Sequence, residues 1–475
     1  MLPSKAKLAD FFIKWEALII FVVLFTLYLS NCFYYMSSTD TIPAVLLPFN
    51  ILDKGTLTLD NFMPYYNQTT NWWGTYYFYE SQGHVVSSYP IVVPLLATPL
   101  YLPAFLATKL LGIPIDMGNH MFFLIAYAME KLAAGFIAAL AGVIFYKLLR
   151  EMFDRKISLI GLAIFALGTS TWTIGSQGLW QHGMSELLIC LILLIIAKGM
   201  KTKKTWHFIL LGALSALLVF NRPTNGLLLI PVLYYALRSE LKSALAYIIS
   251  GAVVAIPFLA YSLYYFGSIF GGYGGLGSSL TIDGLIPYRL AGLLVSPSRG
   301  LLVYTPIAIL ALAGIFYVKG IKDRKTRHVL YLFGLAALGT ILTYGAFPVW
   351  WGGGCYGPRF FTDIIPIIVL FVILFINEVM AWPDGDKKKA VLAVIAFLAI
   401  WSIGVQAVGA YLYPVYGFQW GNGQTITVEN QSKLWDWHDT QLGESLNGIF
   451  NRSAGYSYVI ENGSVKVMPM KCALK

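Results

Sequence analysis

The sequence predicts an all-α protein that crosses a lipid bilayer many times, and three observations carry that prediction. Of 475 residues, 57% are hydrophobic and only 12% are charged, about half the charged share of a soluble domain, and the mean hydropathy is +0.67. Apolar runs of about 20 residues, the length a helix needs to span the hydrocarbon core, recur along the chain. Most lysines and arginines lie in short clusters between those runs. The net charge of +10 therefore reads as the positive-inside bias of a membrane protein, and nucleic acid is not an expected partner.

In chain order, spans are expected at roughly 15–34, 121–146, 157–178, 184–199, 206–221, 224–238, 243–266, 301–318, 329–347, 361–381 and 389–412. The first is too long for the apolar core of a cleavable signal and lacks a small-residue cleavage site, so it reads as a transmembrane helix. A twelfth run, 91–112, decides the topology. Six basic clusters, at 5–14, 147–156, 198–204, 238–242, 319–327 and 387–389, hold 21 of the 33 lysines and arginines. If 91–112 does not cross, all six face the cytoplasm. If it crosses, every later cluster moves outside, against the orientation rule. Pro90, Pro94, Pro99 and Pro103 interrupt the run, and proline is costly inside a helix. It is therefore expected to be a kinked helix on or in the outer leaflet.

The expected architecture is about eleven transmembrane helices, with the N-terminus inside and the C-terminus outside. A membrane domain covers 1–412, with outer-face juxtamembrane helices in a first external loop at 35–120. A small external segment of strands and turns covers 413–475. The absence of an internal repeat counts against an inverted-repeat transporter. Four Asn-x-Ser/Thr sequons (Asn67, Asn430, Asn451, Asn462) fall outside. The cysteines are scattered without metal-type spacing. Cys32 and Cys190 read as packing residues, and Cys355 and Cys472 lie in external segments.

Several residues stand out against this apolar background. Asp40, just beyond the first span, either takes a proton from an incoming hydroxyl or caps the helix beginning near Pro43. His182, in the turn LWQHG, suits a metal ligand, a proton carrier, a donor to phosphate or an interfacial residue beside Trp180. Arg222, Arg299 and Arg359 sit at outer span ends in Gly/Pro turns, against the topology bias. Guanidinium suits bidentate phosphate binding, and each arginine alone would also serve as an interfacial anchor. Glu130 and Lys131 lie inside the second span, where charge is expensive and usually functional or paired. Asp363 either orients or neutralises Arg359, and Trp351 and Tyr356 are supporting residues of the same loop. No Walker A, GxSxG or HExxH motif is present. GGYGG at Gly271–Gly275 is too loose for a nucleotide loop, so any activated donor is not expected to be a cytoplasmic nucleotide sugar.

Taken in order, the motifs resemble the GT-C superfamily of membrane glycosyltransferases, in the style of the bacterial aminoarabinose–lipid A transferase and protein O-mannosyltransferase group. The resemblance rests on SSTDTIPAVLLPF, the YP-containing stretch Ser87–Pro103, LWQHG at Leu179–Gly183 and NRPT at Asn221–Thr224. It rests also on SPSRGLLVYTP at Ser296–Pro306, WWGGGCYGPRFFTD at Trp350–Asp363 and LWDW at Leu434–Trp437. It implies a prokaryotic plasma (inner) membrane enzyme that moves a monosaccharide from a polyprenyl-phosphate donor to a glycan, lipid or protein acceptor, with inversion. By that analogy Asp40 is the general base, and Arg222, Arg299, Arg359 and Lys131 hold the donor phosphate. This chain has His182 where the related lipid A transferases carry a second carboxylate, so use of a divalent metal stays open. The rival reading is a transporter or flippase of a lipid-linked glycan.

Overall fold

A computed structural model of the chain describes residues 5–31, 38–69, 76–202, 204–275, 280–413, 420, 425–451, 456–461 and 464–469. Cys32, Cys472, Asn462 and the side chain of Asn451 lie outside the described residues. The protein is a helical bundle. Among the described residues, seven helices are long and apolar enough to cross a membrane. The main helices are α1 (Lys5–Leu29), α2 (Ile42–Lys54), α3 (Met63–Thr69), α4 (Val92–Leu110), α5 (His120–Met152), α6 (Arg155–Leu167), α7 (Gln181–Thr202) and α8 (Thr205–Asn221). They continue as α9 (Leu229–Leu237), α10 (Leu241–Phe266), α11 (Ile286–Val295), α12 (Leu310–Tyr317), α13 (Arg324–Gly345), α14 (Ile365–Ala381), α15 (Asp386–Tyr411) and α16 (Gln441–Asn451).

Among the described residues the eleven expected runs fall mainly on helix, not always on one unbroken rod, and six of them coincide with the helices long enough to cross. The run 157–178 ends as an α-helix at Leu167 and continues as a wide turn over Thr171–Gly175. The run 301–318 is split into short pieces at Thr305, where Pro306 has no N–H to continue the ladder. The opposite holds for 91–112. Its prolines do not interrupt it: α4 is one continuous helix long enough to span. Pro94 sits in the first turn, where no intrahelical N–H is needed. The Thr98 hydroxyl donates to the Pro94 carbonyl at 2.7 Å.

Close helix contacts rely on missing side chains, as in other membrane bundles. A Cβ on Gly212 of α8 would stand 2.1 Å from the Tyr247 carbonyl of α10, and one on Gly314 of α12 would stand 1.8 Å from the Phe371 carbonyl of α14. Bundle surfaces carry large exposed apolar side chains, among them Leu110, Val253, Phe316, Leu335 and Ile400. Two small hairpins accompany the helices. Phe78–Ser81 pairs antiparallel with His84–Ser87, and Tyr456–Glu461 pairs with Ser464–Pro469 in the tail. The tail is pinned inward by Gln441, whose Nε2 donates to the Cys355 carbonyl at 2.8 Å.

Candidate active site

Four residues singled out in the sequence meet around one cavity of about 200 Å³: Asp40, His182, Arg222 and Arg359. Tyr89, Tyr273 and Tyr344 close its walls.

Asp40 lies in the turn Thr39–Thr41, where the Ser38 side chain accepts the Asp40 N–H at 3.2 Å. Thr41, not Asp40, is the cap residue of α2, so the capping role does not hold. The carboxylate instead accepts from the Tyr76 hydroxyl at 2.7 Å and from Arg359 Nη1 at 2.8 Å. Burial pushes the Asp40 carboxyl up, but the Arg359 charge and hydrogen bonds from Tyr76, Arg359 and Tyr89 outweigh it. The net pKa is below the ordinary carboxylate value, because donors and a cation favour the charged form. Burial and then the Asp40 charge push Tyr76 up to about 12, so its hydroxyl remains a donor at neutral pH. Burial, followed by the Asp40 charge, also raises Tyr89.

His182, Asp363 and Arg222 form a second knot. Asp363 Oδ1 lies 2.8 Å from His182 Nδ1, and Asp363 Oδ2 lies 2.8 Å from Arg222 Nε. That second contact is an ion pair off the line of the N–H bond, since neither atom completes a hydrogen bond. An ionised carboxylate only accepts. His182 therefore donates from Nδ1 and presents Nε2 as acceptor, 3.3 Å from Arg222 Nη1. Arg222 Nη2 donates to the Tyr344 hydroxyl at 2.8 Å. Local sequence explains the placement: Pro223 follows, and a residue before proline is pushed out of the helical region. Arg222 accordingly ends α8 at φ −151°, ψ 110°.

Arg359 is carried by the glycine-rich loop. Gly357 has φ +63°, and a Cβ there would meet the Tyr304 ring at 2.7 Å. The guanidinium stacks over the Trp180 ring at 4.3 Å, a cation–π contact that fixes it between that ring and Asp40. Its buried Nε has no acceptor among the described residues. Opposite, a Cβ on Gly272 would stand 2.0 Å from the Ser88 carbonyl. The GGYGG turn thus needs glycine to approach the Ser88–Tyr89 backbone, and Tyr273 lies 6.1 Å from Tyr89 between ring centres.

The other sequence-predicted residues do not line this cavity. Arg299 was expected to bind phosphate, but its side chain is spent on the protein. Nε donates to Trp351 O at 3.0 Å, Nη1 to Ser298 O and Gln441 Oε1, and Nη2 to Gly353 O at 3.0 Å. Arg299 pins the loop that presents Arg359, and Trp351 contributes a carbonyl to that pin. Tyr356 is a packing residue, its hydroxyl donating to Val405 O at 2.9 Å. Lys131 donates to Gln177 O, and Glu130 accepts from Leu179 N at 3.4 Å. Neighbours on a helix point about 100° apart, yet both grip the turn that leads into Trp180 and His182. Lys131 is therefore a clamp on that turn rather than a lining residue of the cavity.

Sequence reasoning missed the tyrosines and Glu186. Tyr89 lay inside the YP stretch, but nothing local separated Tyr273 or Tyr344 from the other tyrosines. Glu186 carried a signal, a carboxyl inside an apolar helix. It sits one turn from His182 and is fully buried. Its Oε1 accepts from the Thr171 hydroxyl at 2.7 Å, and its Oε2 has no partner. Among the described residues no three His, Cys, Asp or Glu side chains gather as a metal site. Cys190 and Cys355 are buried free thiols.

No family model matches the chain, and no curated protein matches it. Among solved structures it is similar to ArnT from Cupriavidus metallidurans, in a crystal structure bound to undecaprenyl phosphate. The TM-score is 0.47 at 11% sequence identity, over 91% of this chain and 78% of that chain.

Proposed function

We propose that this protein is an integral membrane glycosyltransferase of the GT-C type, acting on a polyprenyl-phosphate-linked sugar at the end of the bundle that holds Asp40. The observation that carries the reading is the convergence of Arg222, Arg359 and the ionised Asp40 on one cavity. Two guanidiniums beside a carboxylate suit a reaction in which a phosphate leaves while a hydroxyl loses its proton. The donor class is taken from the resemblance of the sequence motifs to the GT-C enzymes.

In this mechanism the acceptor hydroxyl gives its proton to Asp40 as its oxygen attacks the anomeric carbon. The bond from that carbon to the phosphate oxygen breaks, and the lipid phosphate departs with the bonding pair and the added negative charge. Arg222 and Arg359 take up that charge. Arg359 now pairs with Asp40, so donor phosphate drawing on its unspent Nε would share the cation and leave Asp40 a stronger base. His182, oriented by Asp363, steadies Arg222. Direct displacement of this kind inverts the anomeric centre.

The test is Asp40→Asn, purified and reconstituted with a polyprenyl-phosphate sugar and candidate acceptors. It should fold and insert normally yet lose transfer by about a hundredfold or more, the usual share of a general base. Near-normal turnover removes Asp40 as the base. Movement of a lipid-linked glycan across vesicles with no product bond formed replaces the transferase reading by the flippase.

A further inference from the structure

A second polar cavity, of about 440 Å³, lies at the other end of α7. It is separated from the first by nearly the length of that 22-residue helix, about 30 Å at 1.5 Å per residue. It opens between the end of α7 (Gly199, Met200), the α9–α10 turn (Arg238, Ser239, Glu240) and the start of α13. Nothing in the proposed transfer reaction uses it.

Its polar groups are arranged as an anion site. Lys325 is fixed in place, its Nζ 2.6 Å from Ser239 Oγ and 4.2 Å above the Tyr235 ring. Arg238, exposed at the mouth, makes no ion pair among the described residues. Tyr235 and Ser243 are 1% and 4% exposed and line the cavity. Among the described residues the Tyr235 hydroxyl has no hydrogen-bond partner, nor does that of Ser243. Both residues line the cavity, so an anion bound there can supply the partner that each hydroxyl lacks. The 26-residue α10 begins here as well, and its cap residue Glu240 makes no side-chain cap bond. Its first amide groups therefore present an uncapped positive end.

Two carboxylates line the same cavity. Asp323 is committed to capping α13, accepting from both Thr326 N and Thr326 Oγ1 at 2.6 Å. Glu240 is exposed and opposes an anion.

The geometry points to a binding site for a phosphate ester. A tetrahedral anion can meet a guanidinium, an ammonium, two hydroxyls and a helix start at once. The flanking residues favour a lipid source. Leu237 and Leu241 bracket the turn and are 57% and 75% exposed, so acyl chains can lie beside the headgroup. Basic pockets between membrane helices hold anionic headgroups in this way.

The experiment uses the full chain in nanodiscs of phosphatidylcholine with or without phosphatidylglycerol. Retained lipid is counted by native mass spectrometry, and inorganic phosphate is titrated in parallel by phosphorus NMR. Arg238→Gln should lower occupancy by about fivefold, the share of one surface cation, and Glu240→Gln should raise it. Arg238 is exposed and unpaired, so its variant folds even if Lys325→Gln does not. Retention of phosphatidylglycerol that follows these substitutions identifies a headgroup. Binding of inorganic phosphate with the same dependence identifies a free phosphate. Binding of neither probe, or retention equal in all variants, overturns the site.

Discussion

Asp363→Asn is the sharpest probe of the second knot. The carboxylate is fully buried, and Arg222 beside it is only 9% exposed at the side chain. At their 2.8 Å separation the attraction is about 6 kcal/mol in an effective dielectric of about 20. Desolvation of both ions offsets part of it, and removing one partner of such a pair costs about 3 to 5 kcal/mol. Asparagine keeps the shape and can still accept from His182 Nδ1, so the loss is that of the charge. Unfolding of the purified protein in mixed micelles, followed by tryptophan fluorescence, measures it. The double variant with Arg222→Gln leaves no lone buried cation. Its loss should fall short of the summed single losses by about 2 to 3 kcal/mol, a coupling expected of residues in contact. A loss below about 1 kcal/mol for Asp363→Asn, the value of an exposed pair, or strict additivity would refute the pairing as the support of Arg222.

Four further outcomes follow from the same geometry. Because the folded Asp40 pKa is depressed, its pairing with Arg359 contributes stability above the unfolded value of about 3.9. That contribution should vanish as pH falls through the lower folded value, and Asp40→Asn should abolish this acid limb in unfolding measured across the range. Gly357→Ala must hold alanine at φ +63° with its Cβ against Tyr304, which should cost about 2 to 4 kcal/mol and depress transfer by displacing Arg359. An unchanged midpoint would mean that the loop simply shifts. Arg299→Gln should lower stability by on the order of 3 kcal/mol through lost charge-assisted bonds while leaving the donor KM unchanged, whereas Arg222→Gln should raise that KM. Cysteines at Pro114 and His120 should react with an impermeant reagent added outside sealed cells, and labelling from the cytoplasm alone would make α4 a true span and invert the topology proposed for all that follows it.

The readable part of the site was readable because a bilayer makes charge rare. Asp40, His182, Arg222 and Arg359 each stood where an apolar chain has little reason to place a polar group, and the fold gathers them. Tyr89, Tyr273 and Tyr344 complete the same cavity but share their residue type with 27 other tyrosines, so nothing local marked them. The prolines of 91–112 show a different limit. A local rule treats them as interruptions, while α4 carries Pro94, Pro99 and Pro103 in one continuous helix. Arg299 and Arg359 are the most instructive pair, because both are arginines in glycine-containing turns at the ends of apolar runs. What separates them is long-range. Arg299 spends Nε, Nη1 and Nη2 on its neighbour's carbonyl, two carbonyls of the distant 351–353 loop and Gln441, and a guanidinium so saturated holds a loop. Arg359 gives Nη1 to Asp40 and retains a buried Nε without an acceptor. A cation that binds an incoming phosphate needs such an unspent donor, and only the folded chain reveals which arginine has one.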